Sequence, residues 1–421
     1  MHNNKDFETN YERAYMLFPI FNGKVEELDS RIAELKELIR TAGATVVGYS
    51  FQVLREISPA TIFGSGKLEE MLTEIRANDV NVIVFDGDLS PSQAQNLSDY
   101  FDGIKFIDRT ALILDIFAIN AKTKEGKLQV ELAQHEYVLS RLKGQGKALS
   151  RLGGGIGTRG PGETRLETDR RYIRNRIQNL KIQLQELEKK RKLITSRRER
   201  TNTIVVALAG YTNAGKSTLL NALSGSDVLA EDKLFATLDP TSRKIDVNGY
   251  SVLLVDTVGF IKDIPTNLVN AFKSTLESVS DADLILNVCD ATGDWEKQNA
   301  VTEEILTELN ADSPIIKVFN KCENISDFTN YPKDGVFISA KYGQGLDALK
   351  EKIANAFNDR FINCSLKIEF AQLNEFYKVI DFLENYSIEY KDDYVEINLC
   401  IKKIYFSKLN KLISEELKIQ K

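Results

Sequence analysis

One stretch limits the folds open to this chain more than any other. Residues 203–223 read TIVVALAGYTNAGKSTLLNAL. Ile204 to Leu208 is a short apolar run rich in β-branched residues, the pattern of a buried strand. It enters Gly210, Tyr211, Thr212, Asn213, Ala214, Gly215, Lys216 and Ser217. After Thr218, the apolar residues Leu219, Leu220, Ala222 and Leu223 fall at helical spacing. Strand, glycine loop and helix, in that order, are the setting a GxxxxGKS sequence needs to cradle phosphate. Gly210 and Gly215 let the backbone wrap with its N–H groups inward, and the helix N-terminus adds a favourable dipole. In that setting Lys216 reaches the β/γ-phosphates and Ser217 places its hydroxyl on magnesium. A plain glycine turn between a core strand and a core helix is the competing reading, and it leaves the agreement of motif and flanks unexplained.

Further signals follow in chain order. Leu253 to Val255 reads as a strand ending in Asp256, Thr257, Val258 and Gly259, a DxxG sequence. The carboxylate there holds magnesium through water, and the glycine N–H holds the γ-phosphate. Phe235, Ala236, Thr237, Leu238 and Asp239 lie between the two motifs, where a switch loop must close. Thr237 is the candidate that senses magnesium and the γ-phosphate, with Thr241 as the alternative. Ile315 to Phe319 reads as another strand, ending in Asn320, Lys321, Cys322 and Glu323. Val336 to Ile338 is another, ending in Ser339, Ala340 and Lys341. NKxD and SAK are sequences that read guanine: the carboxylate accepts from N1–H and the 2-amino group, a pair adenine cannot offer. Position 323 is Glu rather than Asp, so the carboxylate stands one methylene farther out. Each signal closes a strand at its carboxyl end, where sites in α/β sheets form.

The candidate catalytic residues are thus Lys216, Thr237 and Gly259, and the candidate magnesium ligands are Ser217, Thr237 and Asp256. Asn213 stands where cation-dependent GTPases carry a potassium-binding asparagine, which makes potassium a second candidate ion. Phe260 follows Gly259, at the place where Ras-like enzymes hold a water-orienting glutamine. A phenyl ring cannot orient water by hydrogen bonding, so slow intrinsic hydrolysis, raised by a partner, is expected.

The rest of the chain adds a second theme. At 421 residues it has room for about three domains. Residues 12–118 alternate strand and helix: strands at 15–20, 44–53, 80–85 and 104–107, helices at 25–40 and 66–76, and a third helix opened by Ser90 and Pro91. That predicts a small α/β domain with a largely parallel sheet. Phe63 to Lys67 reads FGSGK, a fragment open to two readings, a helix-starting turn or a second nucleotide site. In residues 119–201, Leu128, Leu132, His135, Leu139 and Leu142 recur at spacings of four and three, as do Ile173, Ile177, Leu180, Leu184 and Leu187. Two such helices predict an antiparallel coiled-coil hairpin, with His135 at a packing position. The connection from Lys143 to Asp169 is rich in glycine and reads as a long loop.

Charge singles out the same segment. The net charge is −6, yet residues 141–200 hold 18 Lys and Arg against 6 Asp and Glu. A basic block in an acidic chain points to a local polyanion-binding element. Lys143, Lys147, Arg151, Arg159, Arg165, Arg170 and Arg171 suit phosphates, and arginine also stacks on exposed bases, so RNA is the expected ligand. Residues 202–357 are expected to be the nucleotide domain. Residues 364–421 read strand, helix (374–385), strand, helix (404–417), a small α/β appendage. Four scattered cysteines with no CxxC pair suggest neither a zinc site nor a disulfide framework. No apolar signal segment opens the chain, and no run approaches the roughly 18 apolar residues of a membrane span. A soluble, cytoplasmic monomer is expected.

The chain resembles the HflX family of translational GTPases from about residue 12 to 357. The most specific likeness lies in Gly153 to Glu163 (GGGIGTRGPGE) and Leu166 to Arg171 (LETDRR). Asp108 to Phe117, Leu128 to Ala133, Phe235 to Asp239 and Asp256 to Phe260 also match. Asn120, where the family tends to carry Arg, Ser140, where Pro is frequent, and Glu323 depart from its pattern. The resemblance implies an N-terminal α/β domain, a helical hairpin, a P-loop GTPase domain that binds GTP and GDP, and a small C-terminal domain. It also implies binding to the large ribosomal subunit, the hairpin loop reaching towards the peptidyl-transferase centre and the GTP form splitting stalled or idle ribosomes. A ribosome-assembly GTPase, or a nucleotide-switched RNA-binding protein with incidental hydrolysis, are the alternatives.

Overall fold

The computed structural model describes residues 12–21, 23, 25–55, 58–149, 161–200, 204–225, 234–235, 238–248, 250–262, 278–358, 361–377 and 383–402. For 143–149, 161–166, 192–200, 358, 361–363, 372, 375, 383–385 and 400–402 the backbone alone is described. The chain forms two compact units. The first is Met1–Leu184 with Lys233–Ala236 and Ile264–Ala271; the second is Gln185–Asp232, Thr237–Asp263 and Phe272–Lys421.

In the first unit, β1 (Arg13–Phe21), β2 (Thr45–Leu54), β3 (Val82–Phe85) and β4 (Lys105–Asp108) form a parallel sheet in the order β2-β1-β3-β4. Ala14 to Ile20 are all buried, because helices cover both faces of the central strand. The crossovers are α1 (Leu28–Thr41), α2 (Ser65–Ala77) and α3 (Pro91–Tyr100). Ser90 closes a capping box with Gln93, and Pro91 supplies the first helical residue. The segment predicted as helix from Val25 opens with a 3-10 turn, Val25–Glu27. Helix α4 (Arg109–Asn120) buries Leu112, Ile113, Leu114, Ile116 and Phe117, because sheet and helix press on it from opposite sides.

Helix α5 (Lys124–Leu149) packs against α3 and α4, and α6 (Pro161–Arg200) returns along it. Arg170, early in α6, donates to the carbonyl of Leu142, late in α5; Arg176, farther along, pairs with Glu131, nearer the start of α5. The two helices therefore run antiparallel. Leu128, Leu132, Ile177 and Leu180 of the heptad seam are buried, and His135 sits half-buried with Nε2 3.6 Å from Glu131. The connection is shorter than the sequence suggests. Residues 143–149 continue α5, and 161–169 already belong to α6, because Pro161 and Glu163 suit a helix start and outweigh the scattered glycines.

In the second unit, β5 (Ile204–Gly210), β6 (Thr241–Val247), β7 (Tyr250–Asp256), β8 (Leu284–Asp290), β9 (Ile315–Asn320) and β10 (Val336–Phe337) form one sheet in the order β10-β9-β8-β5-β7-β6. All neighbours are parallel except β6 and β7. Ile204, Val206 and Leu208 share a core with Leu219, Leu220 and Leu223 of α7 (Lys216–Ser224), and with Ile353 and Phe357. Helix α8 is Trp295–Glu308, and α9 is Leu346–Asn358. A second sheet, antiparallel, takes the order β11 (Phe361–Ile368), β13 (Val395–Lys402), β12 (Leu383–Tyr390). Here the predicted helix over 374–385 is corrected: α10 (Leu373–Tyr377) is short, and Leu383 onwards is strand. Tyr386, Ile388 and Tyr390 lie opposite Leu399, Ile397 and Val395, and that cross-strand pairing outweighs local helix propensity. The helix predicted over 404–417 lies outside the described residues. No helix among the described residues is long and apolar enough to cross a membrane.

Candidate nucleotide-binding site

The loop after β5 has a backbone that few residues tolerate. Gly210 has φ +143°, and a Cβ there would lie 2.1 Å from the carbonyl oxygen of Val288 on the neighbouring strand. Gly215 has φ +90°, and its Cβ would stand 2.2 Å from Nδ2 of Asn320. Asn213, exposed at the tip, sits at φ +61°, a left-handed geometry that asparagine accepts. Thr212 and Ala214 are buried, and Thr218 is half-buried on α7. Lys216 folds back so that Nζ donates to the carbonyls of Gly210 (3.0 Å) and Tyr211 (2.8 Å). Burial lowers its pKa to about 8, against an upward pull from Asp256. Ser217 Oγ donates to Asp256 Oδ2 at 2.6 Å.

The DxxG turn is fastened to this loop. Thr257 Oγ1 donates to the carbonyl of Leu208 (2.6 Å), and Val258 is buried. Gly259 runs so close that a Cβ would lie 2.8 Å from Thr212 Cα and 3.0 Å from Lys216 Nζ. The N–H of Phe260 donates to Gly210 O (3.0 Å), and its carbonyl accepts from Thr212 N–H (2.7 Å). Tyr211 Oη accepts from the N–H of Lys262 at 3.0 Å. The sequence marks Phe260 only by the glutamine it replaces; in the structure its ring is fully buried and anchors the turn.

At the other end, Asn320 closes β9 and joins two loops. Its Nδ2 donates to Ala214 O (2.8 Å), and its Oδ1 accepts from Ala340 N–H (3.0 Å). Ser339 is buried and its Oγ accepts from Tyr342 N–H at 3.3 Å, while Lys341 is exposed above the Tyr342 ring. Lys321, at φ +63°, pairs with Asp290 Oδ2 at 2.6 Å. Asp290 ends β8, a strand that the motif reading passed over. Glu323 lies in the 3-10 turn Cys322–Asn324, and its Oε2 is buried without a hydrogen-bond partner among the described residues. A buried carboxylate oxygen left this way is costly until a donor arrives.

Ala236 and Thr237 fall outside the described residues. Leu238 is buried, and Thr241 opens β6 opposite Asp256. Phe235 belongs to the first unit: its ring meets Phe117 edge-on at 4.8 Å, and its carbonyl accepts from Asn120 Nδ2 at 2.8 Å. It holds φ +55°, a strained geometry for a bulky residue. Among the basic candidates, Arg151 and Arg159 lie outside the described residues, and Lys143, Lys147 and Arg165 are described by backbone alone. Arg171 is exposed. Arg170 is only 17% exposed and braces the hairpin, donating to Leu142 O at 2.6 Å.

The first unit gathers charge at the same place on its own sheet. Asp86, just past β3, accepts from Arg31 Nε (2.8 Å) and from Arg109 (2.9 Å), and Arg109 also pairs with Glu34. Burial works against the Arg109 charge, but Glu34 and Asp86 more than offset it and raise the pKa. Lys67, in the first turn of α2, pairs with Glu70 at 2.5 Å.

A phosphate loop, a DxxG turn and a base-reading pair of loops, set at the strand ends of one α/β sheet, define a P-loop GTPase. Three family models match: "GTP-binding GTPase N-terminal" over 29–118, "GTP-binding GTPase Middle Region" over 120–198, and "50S ribosome-binding GTPase" over 205–321. The chain belongs to the HflX family of GTPases. It is 51% identical over 345 residues to GTPase HflX of Caldanaerobacter subterraneus subsp. tengcongensis (81% of this chain, 80% of that protein). It is 41% identical over 406 residues to GTPase HflX of Lacrimispora saccharolytica (94% and 96%), and 40% over 348 residues to that of Escherichia coli (80% and 81%). Among solved structures, it is similar to a GTP-binding protein from Sulfolobus solfataricus in complex with GDP, at 23% identity and a TM-score of 0.45, covering 82% of this chain and 99% of that one.

Proposed function

We propose that this GTPase binds the large ribosomal subunit through the tip of its α5–α6 hairpin, residues 143–170, and in its GTP form splits stalled or idle ribosomes, as a cytoplasmic monomer. The observation that carries this is the coincidence of the basic block, 18 Lys and Arg against 6 Asp and Glu, with an antiparallel helical arm. Phosphate contacts from Lys143, Lys147, Arg151, Arg159, Arg165 and Arg171 would position the tip on ribosomal RNA.

In the nucleotide site, Lys216 leaves its two carbonyl partners for the β/γ-phosphates, and the N–H of Gly259 meets the γ-phosphate. Ser217 and Asp256 present hard oxygen donors side by side, a set that fits magnesium, with Thr237 completing it. The bound ion supplies positive charge to the phosphate oxygens. Asn213 is the ligand proposed for potassium; equal hydrolysis rates in potassium and sodium would remove that assignment. Glu323 accepts from the guanine edge, supported by its buried, unpartnered Oε2. Catalysis is positioning and electrostatics, with no covalent intermediate.

Phe260, buried where a glutamine would orient water, leaves the site short of a group that a partner supplies. Steady-state hydrolysis with and without large subunits tests this: a stimulation of at least tenfold is expected. An unstimulated rate at normal nucleotide affinity would favour a nucleotide-switched RNA binder instead. Changing Arg151 and Arg159 to Glu should weaken co-sedimentation with subunits and leave GTP affinity unchanged.

A further inference from the structure

We infer that Asp108 is a positioning residue that sets the direction in which the α5–α6 hairpin leaves the β1–β4 sheet. Asp108 ends β4, and its side chain is almost wholly buried. It caps α4 by accepting from Ala111 N–H at 2.9 Å. The same carboxylate receives two donors from α5: Tyr137 Oη at 3.0 Å, and the guanidinium of Arg141. Four residues separate these donors, so they stand one above the other on one helix face. Arg141 also lies over the Tyr137 ring, 5.0 Å from its centre, and points to the carbonyl of Ser90, the cap of α3, at 3.5 Å. One carboxylate thus references three helix positions to one strand end.

Its place along the arm makes this consequential. Before it, α5 is held by apolar burial at Leu128, Val130, Leu132 and Ala133. Apolar contacts resist separation but allow a helix to slide or roll. A buried ion pair adds little net stability, yet it is directional, and retaining one selects a single geometry. Immediately beyond it, Arg170 of α6 donates to Leu142 O, so the returning helix is tied one residue past the clamp. Both legs of the hairpin are therefore registered to Asp108 at the last point before the basic tip begins at Lys143. From Arg141 to Leu149 the helix rises about 12 Å, so a small roll at the clamp becomes a displacement of the tip. That the direction of the arm matters for function rests on the ribosomal reading; that Asp108 sets the direction does not.

Full-length protein carrying fluorophores on azidophenylalanine at Glu69 and Asp169 reports the angle by single-molecule energy transfer. Arg141→Gln and the double variant Tyr137→Phe/Arg141→Gln come first, since both leave the cap of α4 intact; Asp108→Asn follows. The wild type should give one narrow distribution, the variants a broadened or shifted one, and Arg141→Lys an intermediate one. GTP affinity should stay constant, and affinity for large subunits should fall about tenfold, equivalent to about 1.4 kcal/mol. A merely structural role would lower the denaturation midpoint and leave the distribution, measured well below it, unchanged; that result overturns the inference. Altered energy transfer with a wild type that does not sediment with subunits would uphold the clamp and dismiss the ribosomal reading.

Discussion

Both units place polar side chains at the carboxyl ends of parallel strands, and they do opposite things with them. In the first unit, each charge of Asp86, Arg109, Arg31 and Glu34 faces an opposite one. In the second, Lys216 is buried against backbone carbonyls with its pKa depressed, and Glu323 keeps a buried oxygen with no hydrogen-bond partner among the described residues. The first arrangement balances its charges within itself and holds a fold together. The second stays uncomfortable until a ligand relieves it. Position in an α/β fold therefore nominates a site, and only the unsettled electrostatics of the second unit support the nomination.

The sharpest way to break this comparison is to remove one cation from each cluster. Lys216→Ala should lower GTP hydrolysis by at least about 100-fold without lowering the stability of the ligand-free protein, because the charge it removes is buried at a cost. Arg109→Met should do the reverse: it strips Glu34 of its guanidinium and leaves Asp86 with Arg31 alone, costing about 3 kcal/mol in chemical denaturation followed by circular dichroism, at unchanged nucleotide affinity. A nucleotide-binding defect in the Arg109 variant would make the first cluster a site after all.

Glu323 comes next in size. Glu323→Gln should weaken GTP binding by roughly 10- to 100-fold in a fluorescence titration, since a charge-assisted acceptor is lost. Glu323→Asp, which restores the shorter side chain of the NKxD pattern, should change it by less than about tenfold.

The titration of Lys216 sharpens the contrast further. Its folded pKa, about 8, lies below the ordinary lysine value of 10.5, so between those pH values the folded, ligand-free protein binds fewer protons than the unfolded chain. Stability of the ligand-free protein should then rise with pH across that window. Affinity for GTP should fall as pH passes about 8, because phosphate needs the charged form. Calorimetry at pH 9 in buffers of different ionisation enthalpy should show proton uptake on binding. The smallest expected effect belongs to Lys67: Lys67→Ala should shift stability by less than about 1 kcal/mol, as for a surface pair, and leave binding at one nucleotide per chain by equilibrium dialysis.

What could be read from the residues was whatever is local in the chain. The phosphate loop announces itself because backbone geometry demands Gly210 and Gly215 at fixed offsets. The strands of the first unit show as apolar runs, and the hairpin shows as a seam in which Leu128, Leu132, Ile177 and Leu180 recur. Contacts between distant segments were not legible: the fastening of Phe260 to Gly210 and Thr212, the pairing of Lys321 with Asp290, and the bracing of Arg170 against Leu142. Strand β12 was hidden for the same reason, since Tyr386 and Tyr390 become strand residues only opposite β13.

Asn320 turns these separate motifs into a measuring device. One end of its amide holds the carbonyl of Ala214 in the phosphate loop, and the other holds the N–H of Ala340 beside the base-reading loop. On the proposed reading of the site, the two ends of a nucleotide would be met by loops pinned to the same side chain, so the span between those loops is set before any ligand arrives. A molecule with the right base edge and the wrong length, or the right phosphates on the wrong base, can satisfy one end only. The site behaves as a gauge with two fixed jaws, and Asn320 is the screw that keeps their spacing.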